Sequence, residues 1–255
     1  MAAFLALAAC LDPAIQLDYQ LRSGETLEYE WTIEVTTNVD IAPQTSSSKL
    51  RLVMDVEQTV LGEIEDGVRV RFTIDPTVME EDGVRLSPPP RTGFEVELDR
   101  RGRVSRVIRA GQLSAVTLRG LEIRRLLQEI LPPLPPDKVA IGDSWDAGLR
   151  SRGESTRLNL KGQGRLEGYR LREGRRLARV EIERRGRVRT HQRVGRVMTD
   201  LAGASEASTV AEIDVDAGAL ATSFTRSESD FEVSQGGQPA GSIRVTLVTS
   251  ARLAA

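Results

Sequence analysis

Few residues in this chain are placed to do chemistry. It holds one thiol, Cys10, and one imidazole, His191. They are 181 positions apart, and His191 sits among Arg187, Arg189 and Arg193 on what reads as a basic strand surface. No His/Cys metal cluster can be built from such a pair, and one cysteine allows no internal disulfide. The sequence has no Gly-x-Ser-x-Gly elbow, no phosphate loop and no dinucleotide fingerprint. Two carboxylate pairs, Glu95/Glu97 and Asp214/Asp216, have the residue types of glycoside hydrolysis. Acids alternating along a half-exposed strand are more simply its wet face. The turn Glu80-Glu81-Asp82 is acidic but lacks the spaced ligands of a calcium loop. The expectation is a protein that is not an enzyme and carries no metal and no cofactor.

That leaves Cys10. The segment Met1-Ala2-Ala3-Phe4-Leu5-Ala6-Leu7-Ala8-Ala9-Cys10 is a short apolar run ending in small residues before a cysteine, like the end of a secretory signal. Leu7-Ala8-Ala9-Cys10 resembles the lipobox of bacterial lipoproteins. The resemblance implies that diacylglycerol is added to the Cys10 thiol and that residues 1–9 are removed. Small side chains at Ala8 and Ala9 let an extended backbone enter the peptidase. Acyl chains on the cysteine would anchor the protein to a membrane. No Lys or Arg precedes Leu7, where a signal carries a positive n-region, which places the true start upstream of Met1 or marks a truncated leader. Leu11 follows the cysteine, and in that family a residue other than Asp there points to the outer membrane where there are two. The expected location is the cell envelope, on the periplasmic face of the outer membrane or the cell surface.

Charge is distributed unevenly behind a net of −2. Residues 1–99 carry 7 basic and 19 acidic side chains, whereas residues 150–196 carry 16 basic and 5 acidic. Either the two halves face each other and neutralise, or the basic stretch meets lipid headgroups or an acidic partner. The Arg-rich stretch 165–196 has a composition found in nucleic-acid binders. Export and an aromatic content of 4% argue against that partner. No run of 18 apolar residues is present, so no transmembrane helix is expected.

The elements that position these residues read as strands. Leu17, Tyr19 and Leu21 alternate with polar residues, and Leu27, Tyr29, Trp31, Ile33 and Val35 alternate with Glu28, Glu30, Thr32 and Glu34. Ala42 to Ser48 reads as a polar loop. Leu50 to Val56 alternates again, and Asp66-Gly67 turns it into Val68, Val70, Phe72 and Ile74. Phe94, Val96 and Leu98 turn at Gly102 into Val104 to Ile108. Over 112–131 the period changes: Leu113, Val116, Leu121, Ile123, Leu126, Leu127, Ile130 and Leu131 form one helical stripe, ended by Pro132. Leu131-Pro132-Pro133-Leu134-Pro135-Pro136 reads as a stiff spacer. Ser242 to Leu253 is a last strand.

The second half repeats the first. Gly24-Glu25-Thr26-Leu27 corresponds to Gly142-Asp143-Ser144-Trp145, and the 61–70 hairpin to 166–175. Val96-Glu97-Leu98-Asp99 with Gly102 corresponds to Ile213-Asp214-Val215-Asp216 with Gly218. In each tip Asp would accept local backbone bonds and Gly would take a positive φ. The expected fold is mainly β: two duplicated, curved antiparallel sheets, as half-barrel or sandwich, joined by one helix and a Pro-rich linker. The divisions are a signal at 1–9, a lipidated tether at 10–16, a first repeat at 17–109, helix and linker at 110–136, and a second repeat at 137–255.

Leu134-Pro135, Val139 and Gly142-Asp143-Ser144-Trp145 resemble the signature of a set of uncharacterised bacterial lipoproteins with a duplicated β half. More loosely, an anchor on curved sheets with a helix is similar to outer-membrane lipoprotein carriers and mycobacterial lipid-binding lipoproteins. Those hold acyl chains on the concave sheet face, and no residue motif here carries that activity over. Two functions follow. One is a carrier of a lipid or small hydrophobic ligand, lined by Leu27, Tyr29, Trp31, Ile33, Val70, Phe72, Ile74 and Trp145. The other is a structural or protein-interaction module of the envelope, with Trp31 and Trp145 as core. An enclosed apolar volume favours the first, a filled interior the second.

Overall fold

The structure, a computed structural model, describes residues 14–109, 123–152, 156–194 and 197–254. Cys10, the signal, and the first half of the expected helix, with Leu113, Val116 and Leu121, lie outside them.

The strands are β1 (Thr26–Ile41), β2 (Gln44–Ile64), β3 (Gly67–Glu81), β4 (Val84–Leu86), β5 (Thr92–Asp99) and β6 (Val104–Arg109). The helix α1 (Ile123–Ile130) follows. After it come β7 (Ser144–Asp146), β8 (Leu149–Arg152), β9 (Thr156–Arg172), β10 (Arg175–Val194), β11 (Val197–Asp214), β12 (Ala219–Gln235) and β13 (Gln238–Leu253). The fold is mainly β, a large curled antiparallel sheet forming a half-barrel, with one helix among the described residues.

The two halves do not stack as separate layers. All thirteen strands belong to one sheet, ordered β6-β5-β3-β2-β1-β13-β12-β11-β10-β9-β7, with β4 on β3 and β8 on β9. The first strand pairs with the last, from Tyr29 opposite Leu253 to Ile41 opposite Gly241. The sheet is thus a meander whose two chain ends meet in its middle, and its two edges, β6 and β7, are the strands flanking the helical connection. Where further hydrogen-bonded pairing would close a barrel, α1 and the proline run lie instead.

Alternation explains which face is inside. Tyr29, Trp31 and Ile33 of β1, Leu52, Met54 and Val56 of β2, and Val70, Phe72 and Ile74 of β3 are all buried. So are Phe94, Val96 and Leu98 of β5. These are the period-two positions of each strand. They form one core with Leu126, Leu127, Ile130, Leu131 and Leu134 of the helical connection and with Ala178, Val180 and Ile182 of β10. This main core draws on both halves, and a second, smaller cluster of Leu149, Leu158, Leu160 and Val188, with Phe231 against it, lies within the second half.

Three local expectations change. The polar stretch 44–48 is strand, not loop: β1 and β2 run to a tight turn at Ala42-Pro43, with Ser47 donating to Asn38 Oδ1 at 2.8 Å across the hairpin. Thr and Ser continue a ladder whose backbone bonds do not require apolar side chains. Leu17 and Tyr19 alternate inward as expected but form no strand. Their segment crosses the sheet's end, with Tyr19 N–H bonded to Arg100 O and Gln20 N–H to Gly218 O, both at 2.9 Å. The proline run is no spacer, since Leu131, Leu134 and the prolines between them are buried. Its carbonyls of Pro132, Pro133 and Leu134 accept from Tyr19 Oη (3.1 Å), Trp145 Nε1 (2.9 Å) and Arg101 Nε (2.7 Å).

Both expected Asp–Gly tips have the predicted chemistry. Asp99 Oδ1 accepts from the amides of Arg101 (2.9 Å) and Arg103 (2.8 Å), with Gly102 at φ 77°. Asp214 Oδ1 accepts from Asp216 (3.1 Å) and Ala217 (2.9 Å), with Gly218 at φ 61°.

Candidate functional site

The residues expected to line a cavity are instead packed against one another. Trp31 and Phe72 are tilted with centroids 5.7 Å apart, and Phe72 stacks on Phe94 at 4.9 Å. Trp31, Ile33, Val70, Phe72 and Ile74 are at most 2% exposed, and Leu27 packs on the edge of the same core. Trp145 belongs to the same buried cluster, with its ring over Gly164 of β9. Of the eight, only Tyr29 reaches either of the two large clefts described below. Void space inside the core next to Tyr19, Tyr29 and Leu131 amounts to about 10 Å³. That is no more than the roughly 10–15 Å³ a single water needs. Burial pushes the phenols of Tyr19 and Tyr29 well above the usual tyrosine range, with Glu25 adding to the effect at Tyr29.

The inner face of β11, β12 and β13 differs in kind. Ser205, Thr209, Ser223, Thr225, Ser227, Ser229 and Thr249 all point inward and are at most 4% exposed. Register places them in rows. Arg184 of β10 is opposite Ala207, then Ser227, then Leu247, and the next row runs Ile182, Thr209, Thr225, Thr249, Ile33. Thr209 and Thr225 hydroxyls share a hydrogen bond at 2.8 Å, and Ser229 donates to Ser205 at 2.8 Å. Thr225 also donates to the carbonyl of Glu129 at 2.6 Å. The hydroxyls of Ser223, Ser227 and Thr249 have no partner.

Arg184 is the charged member of this patch, 3% exposed. Its Nε donates to Ala147 O at 2.9 Å and its Nη1 to Gln128 O at 3.3 Å, while Nη2 has no partner. A cation at the C-terminal carbonyls of α1 also suits the helix dipole. Burial pushes the guanidinium down to about 10, against the opposing pull of Glu129. Glu129 is itself 2% exposed; one carboxylate oxygen pairs with Arg125 at 2.9 Å and the other is unpartnered.

On the outer face, near the end where β1 begins, lies a cleft of about 710 Å³. Seven carboxylates and four arginines line it. Glu30 stands opposite Asp55 and Asp55 opposite Asp75, so three acids occupy one row on three adjacent strands; Glu28 and Glu57 are paired in the next. Arg252 pairs with Glu30 at 3.5 Å and Arg91 with Glu57 at 3.8 Å. Glu28, Asp55 and Asp75 form no ion pair among the described residues. Arg172 and Arg175, from the β9–β10 tip, share the cleft, so here the acidic and basic halves do face each other. A second cleft, about 1080 Å³, lies at the opposite end and includes Val39, Val188, Phe231 and Ile243 with Arg187, Arg189 and Arg244.

The sequence-derived carboxylate pairs do not meet as a catalytic dyad. Glu95 pairs with Arg71 at 2.8 Å and Glu97 with Arg69 at 3.5 Å, while Asp214 caps its turn. His191 pairs with Asp200 on the neighbouring strand. Among the described residues no group of three His, Cys, Asp or Glu is placed to hold a metal ion. No helix there is long and apolar enough to cross a membrane. Sequence reasoning missed Arg184, the hydroxyl rows and the acid row. Only the acids left a trace, as alternation on β1.

No protein-family model matches the chain, and no curated protein does. Among solved structures the chain is similar to DynF from the dynemicin biosynthesis pathway of Micromonospora chersina. The identity is 7% over 94% of this chain and 84% of that one, with a TM-score of 0.23, a likeness too slight to bear on function.

Proposed function

We propose that the protein is a lipid-anchored interaction module of the cell envelope that docks a cationic segment of a partner protein in the acid-floored cleft. The row Glu30–Asp55–Asp75 is the observation that carries this reading. Like charges directly opposite each other on adjacent strands cost stability. A cationic segment laid across the row relieves that repulsion and gains charge complementarity. Distributed acids, with no metal-sized cluster among the described residues, suit Lys and Arg side chains better than a single divalent ion. The filled core favours a module over a carrier with a standing cavity. The lipobox-like Leu7-Ala8-Ala9-Cys10 supports the anchor.

Two measurements test it. A Lys/Arg-rich peptide titrated against the protein binds saturably, more weakly as salt rises. Asp55→Asn combined with Asp75→Asn reduces its affinity at least about tenfold, a loss of about 1.4 kcal/mol. Salt-insensitive binding, or an unaffected double variant, removes the cleft from the reading. Cys10→Ser shifts the protein from the membrane fraction to the soluble one; retention there removes the anchor.

A further inference from the structure

Arginines on the outer face of the sheet commonly meet an acid two positions along the same strand or on the next one. Arg179 pairs with Glu181 at 3.0 Å, Arg226 with Glu228 at 2.6 Å and Arg71 with Glu95 at 2.8 Å. At one place they do not. Arg150 of β8, Arg157 of β9, and Arg187 and Arg189 of β10 are exposed and form no side-chain hydrogen bond or ion pair among the described residues. Register gathers them: Arg150, Asn159 and Arg187 share a row on three adjacent strands, and Arg157 stands opposite Arg189 in the next. On β11 the partners of Arg187 and Arg189 are Ala204 and Ala202, which bring no carboxylate. The acids flanking that stretch are Glu206, opposite Arg185, and Asp200, which pairs with His191. One strand farther, on β12, Asp230 is taken by Arg244, and Glu232 lies two strand spacings from Arg189, about 10 Å.

The four arginines and Asn159 line a hollow of about 370 Å³. Small-molecule sites span roughly 300–1,000 Å³. The strands that carry the arginines are fastened from behind, where Leu149, Leu158, Leu160 and Val188 pack together with Phe231 against them. Like charges directly opposite each other on adjacent strands, as Arg157 and Arg189 are, cost stability, and an anion between them relieves that cost. A guanidinium is a planar fork that takes two oxygens of one phosphate. One phosphate group carries about −1.5 to −2 at neutral pH, less than the charge of four arginines. The hollow therefore reaches neutrality with two or more phosphate groups, and not with one.

We propose that this hollow binds two or more phosphate groups held close together, gripped by Arg150, Arg157, Arg187 and Arg189. The carboxylates of an acidic peptide carry one charge each on a flexible stem and deliver less charge to a hollow of this size. The site is built on β8, β9 and β10, shares no residue with the acidic cleft, and does not rest on the cationic-partner reading.

The test is calorimetric titration of the full chain with tripolyphosphate at constant ionic strength, with orthophosphate and hexaglutamate as comparison ligands. Tripolyphosphate is expected to saturate a single site, and the other two to bind at least about tenfold more weakly. Arg157→Gln combined with Arg189→Gln is expected to lower tripolyphosphate affinity at least about tenfold. Arg179→Gln combined with Arg226→Gln removes the same charge from arginines that already have acid partners, and leaves the affinity unchanged. Arg187→Gln serves as an independent variant and weakens binding several-fold. Sedimentation with phosphatidylglycerol vesicles, in the Cys10→Ser background, identifies the source of the phosphates. Co-sedimentation that is lost in Arg157→Gln/Arg189→Gln places them on a lipid surface; tripolyphosphate binding without co-sedimentation places them in a soluble ligand. Absence of both, orthophosphate or hexaglutamate as tight as tripolyphosphate, an unaffected Arg157→Gln/Arg189→Gln, or an equal loss in Arg179→Gln/Arg226→Gln would each overturn the proposal. None of these outcomes bears on the cationic peptide at the acidic cleft.

Discussion

Trp145 donates its indole N–H to the carbonyl oxygen of Pro133 across 2.9 Å, with its ring lying against Gly164 of β9. This contact ties the signature Gly142-Asp143-Ser144-Trp145 to the proline run and so fixes the segment that occupies the gap between β6 and β7. Trp145→Phe keeps most of the ring but strands a buried carbonyl. Its expected cost is about 1–3 kcal/mol in urea denaturation.

Gly164 has no room for a side chain. A methyl group there would lie 2.4 Å from the Trp145 ring. Gly164→Ala is therefore expected to destabilise by about 1–3 kcal/mol, as overpacked positions do. Much of that loss should disappear in the Trp145→Ala background, giving a strong coupling in a double-mutant cycle. Simple additivity of the two changes would show that the ring and the glycine do not press on each other.

Asp55 faces acids on both sides, Glu30 and Asp75. Asp55→Asn is expected to stabilise the protein by about 0.2–1 kcal/mol at low salt. The gain should fade in thermal melts as ionic strength rises, because these groups are exposed and screened. A gain that persists at high salt would have another origin.

Alkaline pH should unfold the protein through Tyr19 and Tyr29. Burial holds both phenols protonated well above their usual value, while in the unfolded chain they ionise near about 10. Above that pH the unfolded state binds fewer protons, so stability falls as pH rises. Arg184, pushed down to about 10, acts in the opposite sense, as one group against two. Tyrosinate absorbance from these two residues should therefore rise together with the loss of far-UV dichroism, and Tyr29→Phe should move that step to higher pH.

The sequence was most informative where one face of an element is apolar. Tyr29, Trp31 and Ile33, or Val70, Phe72 and Ile74, announce both the strand and the side it buries. Leu126, Leu127 and Ile130 do the same for the helix. The β1–β13 pairing left no local trace, because residues more than two hundred positions apart choose each other by ladder geometry and not by pattern. The interior of β11–β13 was illegible for another reason. On β12 the hydroxyls of Ser223, Thr225 and Ser227 face inward while Phe224, half exposed, faces out, so the usual polarity of the alternation is reversed. Arg184 stands beside Arg185 in an arginine-rich stretch, and nothing in residue type says which one is buried. The proline run read as a spacer because prolines donate no backbone bond, yet their carbonyls accept as well as any.

Ile15 and Val139 exchange both backbone hydrogen bonds, each 2.9 Å long. Ile15 is five positions after Cys10, a leash of at most about 17 Å when fully extended. An acylated Cys10 would thus moor the half-barrel by one end, with the turns at Asp99 and Asp214 turned toward the bilayer. The β1–β2 and β12–β13 turns would stand about 50 Å farther out, the length of a sixteen-residue strand. On the proposed reading the acidic cleft would then lie at the moored end, and its cationic partner would be one that also lives at the membrane surface.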